Sequence, residues 1–166
     1  MTKVPPATPA APAGTSGVSG LSSPADIEAL ADQLSAIADE IHRRVVKSVK
    51  AHGGKPVPQA EQNAARALLD AEYELRQRAD GLYADAATLV VAALGKSQAH
   101  VLALTAAAAE TIRKIGYIGQ AVGLVASVIG LAAAAGTGQP VAIIGAIDKV
   151  RSSIKGLKSF SPLKPV

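Results

Sequence analysis

The feature that most constrains this chain is a long stretch without charge. Between Lys114 and Asp148 lie 33 residues, none acidic or basic: IGYIGQAVGLVASVIGLAAAAGTGQPVAIIGAI. An apolar run of 18 or more residues is typical of a membrane-spanning helix. As a helix, its first arm, Ile115 to Ala135, would extend roughly 31 Å, close to the ~30 Å hydrocarbon core of a bilayer. The arm is therefore long enough to span a membrane.

The composition of the arm makes membrane insertion marginal. Each strongly apolar residue favours insertion by only about 0.3 to 0.6 kcal/mol, whereas Tyr117, Gln120 and Ser127 oppose it. We predict that the arm enters a membrane when conditions favour it and stays in water when other helices cover it. The predicted membrane-inserting residues are Ile115, Ile118, Val122, Leu124, Val125, Val128, Ile129 and Leu131.

Small residues of the arm fall on one helical face. Glycine destabilises a helix by about 1 kcal/mol relative to alanine, so aligned glycines indicate a close approach of two backbones. In lipid such a face drives helix association, and in water the same pattern suits a tight crossing inside a soluble bundle. The predicted helix-association face comprises Gly116, Gly119, Gly123, Ala126 and Gly130.

A turn follows the arm at Gly136, Thr137, Gly138 and Pro140, and the sequence VAIIGAI comes after it. Residues 115–158 resemble the hydrophobic helical hairpin of pore-forming colicins, in which a Gly-Thr and Pro turn joins two apolar helices. The glycine face also resembles glycine-zipper segments of membrane-permeabilising effectors. The second arm, residues 141–147, would extend only about 10 Å before Asp148, so it is too short to be a second span.

Beyond the turn the sequence becomes amphipathic and basic. Ile143, Ile147, Val150, Ile154 and Leu157 form an apolar stripe with 4-3-4-3 spacing. Such a pattern suits a helix lying at a membrane interface, and equally a terminal helix packed on a protein core. The bases flanking this stripe, which we predict to contact anionic lipid, are Lys149, Arg151, Lys155 and Lys158.

The first half of the chain reads as amphipathic helices. Ser23, Pro24 and Asp26 predict a helix start, and the segment HGGKPVP ends that helix. A second helix is expected over residues 59–94, and a third from about Lys96 into the arm. We predict an all-α fold with three long helices in an antiparallel bundle, a shorter amphipathic C-terminal helix and an apolar Gly/Ala-rich segment.

The sequence predicts four regions in the chain. Residues 1–23 form a disordered Pro/Ala/Ser-rich leader, residues 24–114 an amphipathic helical region, residues 115–147 a membrane-active segment with its turn at 136–140, and residues 148–166 a basic end and tail. The leader lacks the pattern of a secretory signal peptide. We therefore expect synthesis in a bacterial-type cytoplasm, with residues 1–23 serving either a leaderless export route to a target membrane or as a simple linker.

Catalysis and nucleic-acid binding find little support in the sequence. His42, His52 and His100 are isolated, and the chain has no cysteine. The bases do not cluster on one helix face, and one Phe, three Tyr and no Trp leave few stacking platforms. We expect no enzyme activity, cofactor, metal site or nucleic-acid partner.

Two functional hypotheses remain open. The first is a membrane-inserting, pore-forming or permeabilising protein, such as a secreted toxin or effector, that oligomerises through the glycine face. The second is a soluble helical-bundle interaction or scaffold protein whose apolar arm is an oligomerisation core. The expected partners are a lipid membrane, further copies of the chain, and a chaperone or immunity-type protein that covers the apolar arm.

Overall fold

The computed structural model describes residues 21, 23–87, 89 and 98–159. Every regular element in this part of the chain is a helix, which confirms the predicted all-α class. In chain order the α-helices are α1 (Pro24–Ala51), α2 (Gln59–Asp85), α3 (Gln98–Lys114), α4 (Ala121–Thr137) and α5 (Pro140–Ser159). A short 3₁₀ helix, Ile118–Gln120, precedes α4.

Helix α1 begins at the predicted cap. The Ser23 hydroxyl accepts a hydrogen bond from the Asp26 amide at 3.2 Å, and the Asp26 carboxylate accepts one from the Ser23 amide at 3.0 Å. Pro24 fits the first helical position because its missing amide hydrogen would have no partner there. This reciprocal capping box fixes where the helix starts.

Helices α1 and α2 form an antiparallel hairpin. Tyr83 donates a hydrogen bond to Asp32, and Arg76 donates one to Asp39 at 2.7 Å. Gly53 and Gly54 adopt positive φ in the connection, a backbone region that side chains disfavour. The α1 residues buried in the core are Ile27, Leu30, Ala31, Leu34, Ile37, Ala38, Ile41 and Val45.

The structure corrects two predicted helix boundaries. Helix α2 ends at Asp85 rather than near Leu94, and residues 90–94 lie outside the described part. Helix α3 ends at Lys114 instead of continuing into the arm. The chain bends at residues 115–117, where Tyr117 is extended. Gly116 and Gly119 each weaken a continuous helix here by about 1 kcal/mol, which lets tertiary packing decide whether the helix continues. The predicted single helix is thus two helices, α3 and α4, joined by a bend and a 3₁₀ turn.

The five helices enclose one core. Helix α4 packs against α2 and α5, while α3 packs against α1 and α5. Gly138 ends α4 in the left-handed conformation (φ +65°), and Pro140 begins α5. Helix α5 runs without interruption past Asp148, so the predicted second arm and residues 148–159 of the predicted basic end form a single helix.

Candidate functional site

The bulky side chains of α4 point into the core. Leu124, Val125, Val128 and Leu131 are fully or almost fully buried, and Val122 and Ile129 are half-buried. Ile115 and Ile118, which precede α4, are also buried. The fold therefore covers, at least in part, all eight residues predicted to insert into a membrane.

Three residues of the predicted small face, all in α4, are exposed to solvent. Gly123, Ala126 and Gly130 are exposed, and a Cβ atom built at either glycine would find no heavy atom within 4 Å. The other two predicted members lie outside α4, because Gly116 is in the bend and Gly119 in the 3₁₀ turn against the Tyr117 ring. Gly123, Ala126 and Gly130 thus make no tight crossing within the chain and leave an open face.

The stretch Ile118–Thr137 has the length and apolarity of a membrane span. Within this 20-residue stretch, an 18-residue window has a mean hydropathy of 1.9, and half of the window is buried. A helix of this length would extend about 30 Å, the thickness of a bilayer core. It is the only such helix among the described residues, and a core helix of a soluble protein passes the same test.

The α4–α5 turn carries exposed apolar residues. Val141 is 85% exposed and Ile144 37% exposed, both on the first turns of α5. Of the predicted turn residues, Gly136 lies in the last turn of α4, Gly138 ends that helix and Pro140 starts the next. No charged residue occurs at this end of the helix pair before Asp148.

Helix α5 has a buried apolar face and an exposed basic face. Ile143, Ile147, Val150 and Ile154 are buried, as expected of a helix that packs on a core. Arg151 pairs with Asp148 at 3.1 Å, while the other three bases have no carboxylate within 4 Å in the described part of the chain. All four predicted lipid-contacting bases are exposed: Lys149, Arg151, Lys155 and Lys158.

A shallow groove of about 530 Å³ runs between α4 and α5. Ala126 and Ser127 form its side on α4, and the α5 side consists of Asp148, Lys149, Ser152 and Ser153. The small side chains on α4 make this the part of the helix pair where another backbone can approach most closely.

A polar joint between α1 and α2 was not predicted from the sequence. Glu61, buried in the first turn of α2, accepts hydrogen bonds from the Ser48 hydroxyl and from His52 Nε2, the latter at 2.9 Å. The Ser48 hydrogen bond, followed by that of His52, lowers the pKa of Glu61. The only sequence signal was an acid in a first helical turn opposite a histidine at the preceding helix end.

The remaining polar side chains form ion pairs on the surface. His42 bonds to Glu72 at 3.1 Å, and Glu72 also accepts from Arg76. Hydrogen bonds from Arg113 and Lys114 lower the pKa of Glu110 to about 2. Within the described residues, no three His, Cys, Asp or Glu side chains converge on a point where a metal ion could bind.

Comparison with protein-family models, curated proteins and solved structures finds no match to this chain.

Proposed function

We propose that this protein inserts into and permeabilises membranes. In water it folds as a helical bundle with α4 in its core. On a bilayer, α4 leaves that core, enters the lipid and associates with other copies through Gly123, Ala126 and Gly130. The activity requires no enzyme site and no cofactor.

The observation that carries this proposal is the exposed face of α4. A helix on the surface of a soluble protein normally shows charged and polar residues to solvent. The exposed positions of α4 are instead three glycines, an alanine and a threonine: Gly123, Ala126, Gly130, Gly136 and Thr137. Neither face of this helix carries a charge that lipid would have to accommodate, so α4 suits both a protein core and a bilayer.

The energetics link the release of α4 to contact with a membrane. Transfer of Leu124, Val125, Val128 and Leu131 from the core to water would cost about 1.5 to 3 kcal/mol each, or roughly 6 to 12 kcal/mol together. Transfer to lipid avoids most of this cost because acyl chains are as apolar as the core. The folded form is therefore stable in water, and α4 leaves the core only where lipid can replace it.

The surroundings of α4 support the same function. The exposed Val141 and Ile144 and the absence of charge at the turn favour contact with acyl chains. Lys149, Lys155 and Lys158 are free to meet anionic headgroups. We place this activity in a toxin or effector exported by a leaderless route and covered before release by a chaperone or immunity-type protein, a setting that rests on the sequence alone.

A second candidate function is a soluble scaffold. It is favoured by the cover that the bundle already gives α4, since half of an 18-residue window within residues 118–137 is buried. On that hypothesis the open small-residue face holds copies of the chain together in water, and no membrane is involved.

Substitution of Ala126 by lysine tests the membrane function. Ala126 is exposed near the middle of Ile118–Thr137, so the bundle should keep its stability to within about 0.5 kcal/mol. A lysine near the centre of a span costs about 2.5 to 3.5 kcal/mol, so release of dye from anionic liposomes should fall about 100-fold.

The matched control is Ala103→Lys, which adds the same charge at an exposed alanine of α3. It should leave dye release at the parent level. Equal leakage from Ala126→Lys and the parent, or no leakage from the parent at all, would remove α4 insertion from the function.

A further inference from the structure

The last turns of α1 extend past the end of α3. Helix α1 has 28 residues and α3 only 17. Near the end of α3, the pKa of Arg113 is raised by the carboxylate of Glu110 and more weakly by that of Glu40, so α3 ends close to Glu40. The turns of α1 that follow Glu40 pack on α2, and no other helix in the described part of the chain covers the exposed Arg43, Lys47 and Lys50 on their outer side.

Cations and valines share that open side. We name Arg43, Val46, Lys47, Val49 and Lys50 the α1 basic face. Its three bases are exposed, Val46 is half-buried, and Val49, at the border of this face, is 46% exposed. A shallow groove of about 360 Å³ follows this surface, lined by His42, Arg43, Val46, Lys47 and Lys50.

The charge of this face is only partly neutralised. Arg43 pairs with Glu40 at 2.8 Å. Lys47 and Lys50 have no carboxylate within 4 Å in the described part of the chain. These two cations, beside the half-buried Val46 and the exposed Val49, give a surface that is both basic and apolar.

We propose that the α1 basic face docks the folded protein on the surface of an anionic bilayer. Apolar residues that border cations on one helix suit the boundary between acyl chains and headgroups. Each lysine near an anionic surface contributes about 1 kcal/mol of attraction, which salt screens. An acidic polypeptide would form ion pairs with the cations but would gain little from contact with Val46 and Val49. The two valines therefore favour lipid as the partner.

The docking face lies far from the apolar turn of α4 and α5. Lys47 and Lys50 flank Ser48, which bonds to Glu61 at the start of α2. The α4–α5 turn lies at the opposite end of α2, because Leu89, four residues beyond α2, is the nearest neighbour of a Cβ built at Gly138. Docking and insertion are therefore separate steps. The inference rests on the proposed membrane function, but its site shares no residue with α4.

Single tryptophans can report the two steps separately, because the natural chain has none. Val49→Trp reports docking and Val141→Trp reports contact at the turn. On mixing with vesicles of phosphatidylcholine and phosphatidylglycerol, the emission of Trp at position 49 should shift to the blue before that at position 141. Vesicles of phosphatidylcholine alone should give little shift at position 49, and added salt should weaken the shift on anionic vesicles.

The lysines supply the second measurement. In the Val49→Trp protein, the pair Lys47→Gln and Lys50→Gln should lower partitioning onto anionic vesicles roughly 30-fold, as two cations worth about 1 kcal/mol each predict. The control pair Arg66→Gln and Arg78→Gln removes the same charge from exposed positions of α2 and should have a much smaller effect. Thermal melts of all variants confirm that each bundle is folded.

The outcomes distinguish this inference from the proposed function. The inference is overturned if position 49 shows no shift on anionic vesicles, if the α2 pair lowers partitioning as much as the α1 pair, or if the face binds polyglutamate and ignores vesicles. Salt-sensitive docking by the parent, with no leakage, would support the α1 basic face and contradict insertion by α4. Leakage that is lost in Ala126→Lys but unchanged by the pair Lys47→Gln and Lys50→Gln would support insertion by α4 and contradict the α1 basic face.

Discussion

At the scale of single residues, the connection between α1 and α2 depends on Glu61. Its carboxylate lies at the start of α2 and receives hydrogen bonds from Ser48 and His52, near the end of α1. A negative charge at a helix start complements the helix dipole. One buried carboxylate thus holds two helix ends together.

Replacing Glu61 by glutamine should lower the free energy of unfolding at neutral pH and weaken the dependence of that free energy on pH. The pKa of Glu61 is lowered from 4.5 by Ser48 and then by His52. A lowered carboxylate pKa stabilises the fold above the unfolded value, and that stabilisation disappears as pH drops through the folded value. In denaturant melts at pH 7 the parent should have a higher free energy of unfolding than Glu61→Gln. This difference should disappear below about pH 4.5.

The control for this substitution is Glu74→Gln, which removes an exposed carboxylate paired only with Arg78. It should change stability little at any pH. A gap between Glu61→Gln and the parent that stays constant from pH 7 to acid would show that the charge of Glu61 is irrelevant to the joint.

At the scale of the helix, α4 is defined by the difference between its two faces. Leu124, Val128 and Leu131 fill the core, while Gly123 and Gly130 face open space. The same division suits a span in lipid, where the bulky face meets acyl chains and the small face meets another helix. Substitutions on the small face should therefore leave the soluble fold intact and, under the proposed function, act on the assembled state.

Leucine at positions 123 and 130 should separate folding from assembly. In water, Gly123→Leu and Gly130→Leu remove a helix penalty of about 1 kcal/mol each and meet no neighbour, so the melting temperature should hold or rise. In lipid the new side chains keep facing helices apart. Binding to liposomes should persist, while crosslinked oligomers and dye release are lost.

Gly81→Leu provides the matched control, since Gly81 is an exposed glycine of α2 with nothing within 4 Å of its missing Cβ. It should leave oligomers and leakage unchanged. If Gly123→Leu and Gly130→Leu instead disrupt oligomers in plain buffer, the soluble scaffold is the better account. Full assembly and leakage with both leucines in place would show that the small face has no role.

At the scale of the whole molecule, strong local signals were predictable and long-range geometry was not. Ser23, Pro24 and Asp26 marked the start of α1 because capping is a local interaction. The bend at Gly116 was missed because the helical cost of a glycine is small enough for tertiary packing to decide. The Glu61 joint and the exposure of Val49 depend on how α1, α2 and α3 align, which no local pattern contains.

The candidate site was predictable in the same partial way. In α4, Gly123, Ala126 and Gly130 are exposed and the bulky residues are buried or half-buried, whereas Gly116 and Gly119, which periodicity placed with the small residues, lie outside the helix. Periodicity did not reveal which face the fold would bury, because that depends on the cover supplied by α2 and α5. The burial of the bulky face leaves the membrane hypothesis with a definite physical requirement, the release of α4.

The most direct test of this account is to locate α4 when the protein is on a membrane. The chain has no cysteine, so Ala126→Cys carries a single environment-sensitive NBD label on the exposed side of α4. Ala103→Cys labels α3 as a control. On anionic liposomes with quenchers attached to the lipid chains, the label at position 126 should brighten, become inaccessible to aqueous iodide and be quenched from within the bilayer, while position 103 stays accessible to iodide. A label at position 126 that remains open to iodide on liposomes that are leaking would contradict the insertion of α4.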